Sequence, residues 1–193
     1  MSDDTFLVTG ALGCIGAWVL RNLVKEGLPV VAVDLAKEPL RPGLLLAPAE
    51  LQRITFIQAD VTDLDAMQAI IVDHQVTHVI HLAALQAPSC KAKPSLGARV
   101  NVVGTVNIFE AARRCQSQVR GLAYASSVAV LGPERCYSNL PLRDDAPLHP
   151  ETLYGVYKQA DEHVARLYWQ DWQVSSLGPV SYTHLRAHET VLD

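Results

Sequence analysis

A tyrosine and a lysine four residues apart, Tyr154 and Lys158, are the residues whose types and spacing point most directly to chemistry. On a helix, positions i and i+4 lie on the same face, so the ammonium would lie beside the phenol. A phenol with its ordinary pKa of about 10 is a poor base, but an adjacent ammonium favours the phenolate. The pair is therefore a candidate acid/base. The same spacing is also common on plain helix surfaces, and we expect the neighbouring Tyr157 to pack.

Two serines, Ser126 and Ser127, end an apolar segment further up the chain. In a parallel sheet the carboxyl ends of the strands border the ligand crevice, so a hydroxyl there can hold a substrate oxygen beside the phenol. Serines that follow a strand also serve as turn residues. Ser127 is thus a candidate only in combination with Tyr154.

A glycine-rich segment lies between the first apolar run and the first helical pattern. We call residues 10–16 the glycine turn; their sequence is Gly10-Ala11-Leu12-Gly13-Cys14-Ile15-Gly16. Free backbone N–H groups and the positive end of the helix dipole attract phosphate at such a helix start, and glycines let the pyrophosphate approach. The spacing is Gly-x-x-Gly-x-x-Gly, which predicts a dinucleotide cradle. The alternative is a tight strand–helix turn that binds no ligand.

An aspartate, Asp34, follows the second apolar run, eighteen residues after Gly16. A carboxylate at this place accepts hydrogen bonds from the adenosine ribose hydroxyls and repels a 2′-phosphate, which favours NAD over NADP. The nearby cation Lys37 can offset that repulsion, so NADP tolerance stays open. A solvated loop acid is the alternative.

The elements that must position these residues alternate between strand and helix. Nearly all-apolar strands separated by helices predict right-handed βαβ crossovers and a parallel sheet covered on both faces. We therefore expect an α/β fold, a doubly wound parallel sheet of the Rossmann type. Strands are predicted at residues 6–9, 30–33, 54–57, 76–82, 122–126 and 173–177, and helices at 15–26, 64–74, 95–115 and 152–169.

The composition sets limits on partners and location. The net charge is −4 and there is no basic run, so we expect no nucleic-acid partner. No apolar stretch approaches the ~18–20 residues that span a bilayer, so we expect no membrane partner. The start of the chain lacks the positive region of a secretory signal. The four cysteines lie far apart, which predicts free thiols in the cytoplasm rather than disulfides or a zinc site.

Three histidines in one region, His74, His78 and His81, superficially suggest a metal site. The first ends a predicted helix and the other two lie on a predicted strand, so the three need not converge. We expect packing or hydrogen bonding for them and no bound metal.

Taken in order, these motifs resemble the extended short-chain dehydrogenase/reductase family, the NAD-dependent sugar-nucleotide epimerases and dehydratases. The resemblance covers residues 5–178 and includes four further segments, at residues 59–63, 81–84, 101–105 and 125–132. Carried over residue by residue, it implies an NAD site in which Asp60 contacts the adenine. The implied cofactor-binding residues are Gly10, Gly13, Cys14, Ile15, Gly16, Asp34, Asp60, Val61, Leu82, Ala83, Ala84, Asn101, Tyr154 and Lys158.

The resemblance also implies catalytic roles for Ser127, Tyr154 and Lys158. Tyr154 would remove a hydroxyl proton as a hydride leaves the same carbon for NAD, with Ser127 sharing the hydrogen bond to the forming carbonyl. Lys158 would bind the nicotinamide ribose and lower the tyrosine pKa. Two residues depart from the family pattern: Leu131 stands where an aromatic is usual and Cys14 where a phenylalanine is usual.

Several functions stay open at this point. Dehydratases of the family carry an acidic pair just after the catalytic Ser/Thr, whereas Val128 and Ala129 follow Ser127 here. This favours an epimerase acting on a sugar nucleotide or related hydroxy compound, or a simple alcohol or sugar dehydrogenase. A regulatory or scaffold protein that binds the dinucleotide without turnover is the alternative from another class. We expect the full-length protein to form a homodimer.

The last residues break with the rest of the sequence. Residues 179–190 match the translation of a transposon-end adapter used in sequencing-library preparation, and residues 191–193 would come from index bases. We therefore predict an NAD-binding Rossmann domain at 1–178 and a non-native tail at 179–193. The substrate-binding part would then be missing, so we expect the chain alone to be inactive and its substrate to be beyond prediction.

Overall fold

The strands of the protein lie close to their predicted positions in most cases. The structure is a computed structural model, which describes residues 4–138, 140–143 and 145–181, and this part of the chain contains eight strands. The strands are β1 (Phe6–Thr9), β2 (Val30–Asp34), β3 (Ile54–Gln58), β4 (His78–His81), β5 (Gly121–Tyr124), β6 (Ser126–Ser127), β7 (Ser176–Leu177) and β8 (Val180–Ser181).

Six of these strands form one parallel sheet in the order β3-β2-β1-β4-β5-β7. The order reverses between β1 and β4, where Thr9 pairs with His81 at the carboxyl ends of both strands. This is the switch point at which doubly wound sheets bind ligands. The predicted Rossmann-type α/β fold is confirmed.

Helices cover both faces of the sheet. They are α1 (Cys14–Lys25), α2 (Leu40–Leu45), α3 (Pro48–Leu51), α4 (Leu64–Asp73), α5 (Ala87–Ala92), α6 (Pro94–Ala98), α7 (Gly104–Arg114) and α8 (Leu153–Trp172). Successive strand residues point to opposite faces. Leu7 therefore packs among buried residues of α4 and α7, whereas Val8 packs against α1.

The predicted helix over residues 95–115 is not a regular α-helix along its whole length. A π-helical stretch, Arg99–Val103, separates α6 from α7, and the Gly104 N–H donates to the carbonyl of Arg99. A Cβ at Gly104 would lie 2.8 Å from Cγ2 of Val61, so this turn brings the helix close to the neighbouring loop. The apolar periodicity does not reveal such a local change of winding.

Other differences from the prediction lie at the ends of elements. The last strand of the main sheet is shorter than predicted. It begins at Ser176, because Gln173 ends α8 in a left-handed conformation and residues 174 and 175 connect it to the strand. Ser126 and Ser127 leave the main sheet and pair with Val180 and Ser181 in a small second sheet. Residues 182–193 of the predicted tail lie outside the described residues. No helix within the described part of the chain is long and apolar enough to cross a membrane.

Candidate functional site

A cleft of about 570 Å³ opens where β1 and β4 end. Clefts of roughly 300–1,000 Å³ are usual for bound small molecules and cofactors. Every residue that the sequence marked as catalytic or cofactor-binding lines it, with the exception of Asn101. The lining includes Gly10, Gly13, Cys14, Ile15, Gly16, Asp34, Asp60, Val61, Leu82, Ala83, Ala84, Ser127, Tyr154 and Lys158.

The glycine turn forms one end of the cleft, and its first and third glycines are required by close backbone contacts. Gly10 has φ +64°, and a Cβ there would lie 2.6 Å from the backbone nitrogen of Ala83. A Cβ at Gly16 would lie 2.4 Å from the carbonyl oxygen of Gly10. Gly13 precedes the first residue of α1, so unpaired N–H groups of the first turn face the cleft. This geometry suits a pyrophosphate.

Asp34 fixes the glycine turn from the end of β2. Its Oδ2 accepts a hydrogen bond from the Leu12 N–H at 2.9 Å, and its Oδ1 accepts one from the Ala36 N–H at 3.1 Å. Each carboxylate oxygen has a second lone pair, so the ribose hydroxyls of a dinucleotide can still donate to Asp34. Lys37 is exposed and is not among the lining residues.

Asp60 and Val61 also line the cleft, in the loop that follows β3. Asp60 Oδ1 accepts the Thr62 N–H at 2.8 Å, and the carbonyl of Val61 accepts the Asn107 amide at 3.0 Å. These bonds hold the loop after β3 against the cleft, at the position that the sequence assigned to the adenine.

Asn101 lies behind the cleft and not in its lining. Its Oδ1 accepts the Leu85 N–H at 2.7 Å and its Nδ2 donates to the Leu85 carbonyl at 2.9 Å. The π-helical stretch therefore positions Asn101 to hold the backbone that follows Leu82, Ala83 and Ala84. Asn101 is thus the one predicted cofactor-binding residue that is absent from the cleft lining, and its part in cofactor binding stays a prediction.

A buried hydrogen-bonded chain connects the two central strands beneath the cleft. Thr9 Oγ1 and His81 Nδ1 lie 2.7 Å apart, and His81 Nε2 lies 3.2 Å from Thr105 Oγ1. Burial lowers the pKa of His81 to about 3, with the charge of Lys158 acting in the same direction. His81 is therefore a neutral structural link. Within the described ranges, no group of three His, Cys, Asp or Glu side chains is placed to hold a metal ion.

The other end of the cleft depends on the start of α8. Thr152 caps this helix by accepting the Gly155 N–H at 3.0 Å. A Cβ at Gly155 would lie 2.2 Å from the carbonyl oxygen of Ala129, so the glycine lets α8 approach the segment that follows Ser127. Tyr154, in the first helical turn, is partly exposed and lines the cleft.

Ser127 and Lys158 complete this end. Ser127 Oγ accepts the Ala129 N–H at 3.2 Å, which leaves its own hydrogen available to a bound oxygen. Lys158 is buried, and its Nζ donates to the Ala125 carbonyl at 2.8 Å and to Asp161 Oδ2 at 3.1 Å. The candidate serine, tyrosine and lysine thus share one cleft with the glycine turn.

Some residues of the site were missed by sequence reasoning. Gln86 lines the cleft, and Glu162 accepts a hydrogen bond from Ser126, which the sequence had placed at the crevice. Gly155 and Asp161 act behind it. The glycine had a visible signal, since a glycine in the first turn of a helix is unfavourable unless a close contact requires it. The sequence contains no such signal for Asp161, because the burial of that residue depends on long-range packing.

The comparisons with known proteins agree with this arrangement. A family model described as the NAD dependent epimerase/dehydratase family matches residues 6–188. Among curated proteins, the UDP-glucose 4-epimerase of Lactobacillus helveticus is 30% identical over 181 residues, which are 93% of this chain and 50% of that protein.

Two solved structures extend the comparison. The UDP-glucose 4-epimerase of Thermus thermophilus, in complex with NAD, superposes with a TM-score of 0.74 at 26% identity, covering 89% of this chain and 53% of that one. The L-threonine dehydrogenase of Clostridium difficile gives a TM-score of 0.77 at 27% identity, covering 91% and 52%. The chain spans about half the length of these relatives.

Proposed function

The chain belongs to the NAD dependent epimerase/dehydratase family, and on that premise we propose that it is the cofactor half of an NAD-dependent epimerase or oxidoreductase. One observation carries the proposal. Ser127, Tyr154 and Lys158 line the same cleft as the glycine turn and Asp34. A site that only binds a dinucleotide needs no acid/base tyrosine.

NAD fits the residues that are present. The glycine turn leaves room where a Cβ at Gly10 or Gly16 would strike backbone atoms, so its N–H groups would hold the pyrophosphate. Asp34 would accept the ribose hydroxyls at the adenosine end, and Lys158 would donate to the ribose at the other end. When bound, NAD supplies the site with a hydride acceptor that can also return the hydride.

The residues of this chain then handle the proton. Tyr154 Oη takes the proton of the substrate hydroxyl, and Lys158, four residues later in α8, supplies a positive charge to the same cleft. Ser127 donates its hydroxyl hydrogen to the same substrate oxygen, which holds that oxygen in place during the transfer. Positioned acid–base groups of this kind typically contribute about 10²–10⁴-fold.

A sugar nucleotide is the substrate class we favour, since the similar proteins include UDP-glucose 4-epimerases. Epimerase chemistry is preferred to dehydratase chemistry because Val128 and Ala129 follow Ser127. A simple dehydrogenase is the second candidate, supported by the similarity to an L-threonine dehydrogenase. A homodimer and a cytoplasmic location stay predictions from the sequence.

The test requires the complete gene that encodes this chain. Its product is incubated with NAD and a panel of UDP-sugars and hydroxy compounds, while NADH formation is followed by absorbance. We expect transient NADH with a UDP-sugar and a loss of about 10²-fold or more in Tyr154→Phe.

Tyr157→Phe is the matched control. It removes a hydroxyl from the same helix, where Tyr157 donates to the Pro94 carbonyl at 3.0 Å, and should leave turnover nearly unchanged. Full activity in Tyr154→Phe would refute the mechanism. Tight NAD binding without NADH from any substrate would favour the regulatory or scaffold alternative.

A further inference from the structure

A buried carboxylate, Asp161, lies directly behind the lysine of the candidate site. The residue is fully buried, and its Oδ2 accepts a hydrogen bond from Lys158 Nζ at 3.1 Å. Its Oδ1 makes no hydrogen bond of good geometry among the described residues, and the nearby Thr105 hydroxyl already donates to the Asn101 carbonyl at 2.6 Å. A buried oxygen without a partner costs folding free energy, so Asp161 is not explained by stability alone.

The lysine is held by both of its inward contacts. An ammonium has three N–H donors, and those of Lys158 reach the Ala125 carbonyl at 2.8 Å and Asp161 Oδ2. This leaves the third donor for the cleft that Lys158 lines. Among the lining residues within the described ranges, Lys158 is the only lysine or arginine. The charged side chains at this end are therefore Lys158, Asp161 and Glu162, and Asp161 is the one bonded directly to the lysine.

The surroundings of Asp161 contain few groups that can change charge. Burial raises the pKa of Asp161 to about 6, while Lys158 and the Thr105 side chain lower it and Glu162 on the same helix raises it. His81 of β4 and Tyr124 of β5 stay neutral near physiological pH, because burial lowers the pKa of His81 to about 3 and raises that of Tyr124 to about 12.

We infer that Asp161 is a positioning residue that fixes the Lys158 ammonium and offsets its charge, so that the cleft accepts the oxidised dinucleotide with its positive nicotinamide ring. The inference rests on the proposed NAD site. The oxidised ring carries a positive charge and the reduced ring is neutral, so an uncompensated ammonium would repel only the oxidised form. Asp161 therefore changes the ratio between the affinity for NAD and the affinity for NADH.

The test measures binding rather than turnover. The dissociation constants of the chain for NAD and NADH are determined at about pH 8 by calorimetry and by NADH fluorescence. In Asp161→Asn, which keeps the shape and a hydrogen-bond acceptor, we expect NAD binding to weaken relative to NADH binding by about fivefold. Structural damage would weaken both forms equally, so the ratio separates a charge effect from misfolding.

Asp171→Asn is the matched control, because it removes the same charge from an exposed position on α8 and should leave the ratio unchanged. The unsubstituted chain supplies a second measurement. Lowering the pH from about 8 to about 5 protonates Asp161, so its ratio should approach that of Asp161→Asn. Glu162→Gln should keep this pH dependence.

The outcomes distinguish this inference from the proposed function. Intact binding with the same ratio in Asp161→Asn and at low pH would overturn the role of Asp161 alone. Failure of the chain to bind either form would overturn the NAD site and the inference together. Full turnover in Tyr154→Phe would refute the acid/base mechanism without affecting the ratio.

Discussion

The two ends of the cleft are built in different ways. At the glycine turn, backbone atoms border the cleft, and the conformation is set by glycines whose spacing is visible in the sequence. At the α8 end, side chains border the cleft, and Lys158 is held by Ala125, a residue 33 positions away. The first end depends on local sequence, whereas the second depends on how α8 packs against the sheet. This difference separates a backbone cradle from a cluster of side chains.

The buried chain of His81 joins the two ends. Thr9 leads into the glycine turn, and Thr105 lies on α7 below Lys158 and Asp161. The three hydrogen-bonded side chains are neutral, so they connect the two ends of the cleft without adding charge. Substitutions at either end of the cleft, and among these three side chains, therefore test whether the two ends are independent.

The largest effect is expected at the glycine turn, in Gly16→Ala. The new Cβ would lie 2.4 Å from the Gly10 carbonyl oxygen and 2.6 Å from that of Ala11, and the buried backbone there has little room to shift. We expect the free energy of unfolding to fall by about 3 kcal/mol, with loss of NAD binding. Urea denaturation and calorimetry measure both quantities.

Gly43→Ala is the control for this substitution, since no atom lies within 4 Å of a Cβ at that position. It should be neutral or slightly stabilising because alanine is the better helix former. Equal stability and equal NAD binding in Gly16→Ala and Gly43→Ala would show that the close contact is not needed.

A smaller effect, dependent on pH, is expected in His81→Gln. The pKa of His81 falls from 6.5 to about 3 on folding, so its contribution to stability is full above pH 6.5 and is lost as the pH falls towards 3. Glutamine does not titrate. Between about pH 7.5 and 4.5 the variant should therefore gain about 2–3 kcal/mol relative to the unsubstituted chain.

The contribution of Asp161 to the free energy of unfolding has the opposite pH dependence, but Asp161 is present in both His81→Gln and the unsubstituted chain. Its pKa rises from 3.8 to about 6 on folding, so its cost is present above pH 6 and is relieved as the pH falls through that value. Comparing the two proteins at each pH removes this contribution. A constant difference between His81→Gln and the unsubstituted chain would contradict the neutral buried histidine.

The contrast between the locally determined glycine turn and the packing-dependent α8 end also explains how much of the molecule was predictable from the sequence. The sheet, the glycine turn and Asp34 follow from apolar runs and glycine spacing, which are local signals. The assignment of Ser127, Tyr154 and Lys158 to one cleft needed the family resemblance, because their convergence depends on tertiary packing. The hydrogen bonds between Asn101 and Leu85, the π-helical stretch and the burial of Asp161 were not predictable. Each depends on contacts that no periodicity records, such as the two bonds from Asn101 to Leu85.

The most selective test of the two-ended cleft is Gly155→Ala. The new Cβ would lie 2.2 Å from the Ala129 carbonyl oxygen and would push the first turn of α8 away from the segment after Ser127. Ala129 is only partly buried, so its loop can yield, and we expect the free energy of unfolding to fall by only about 1–2 kcal/mol. A displacement of Tyr154 by about 1 Å should still reduce hydride transfer by about 10²-fold.

The glycine turn lies at the other end of the cleft, so the affinity of Gly155→Ala for NADH should stay within about twofold of the unsubstituted value, well below the effect on turnover. Val156→Ala is the control, because it truncates an exposed side chain in the same helical turn and should change neither quantity. NADH fluorescence gives the affinity of each variant, and NADH formation by the product of the complete gene gives the turnover. If Gly155→Ala weakened NADH binding as strongly as turnover, the two ends would be one cooperative unit, and their independence would be wrong.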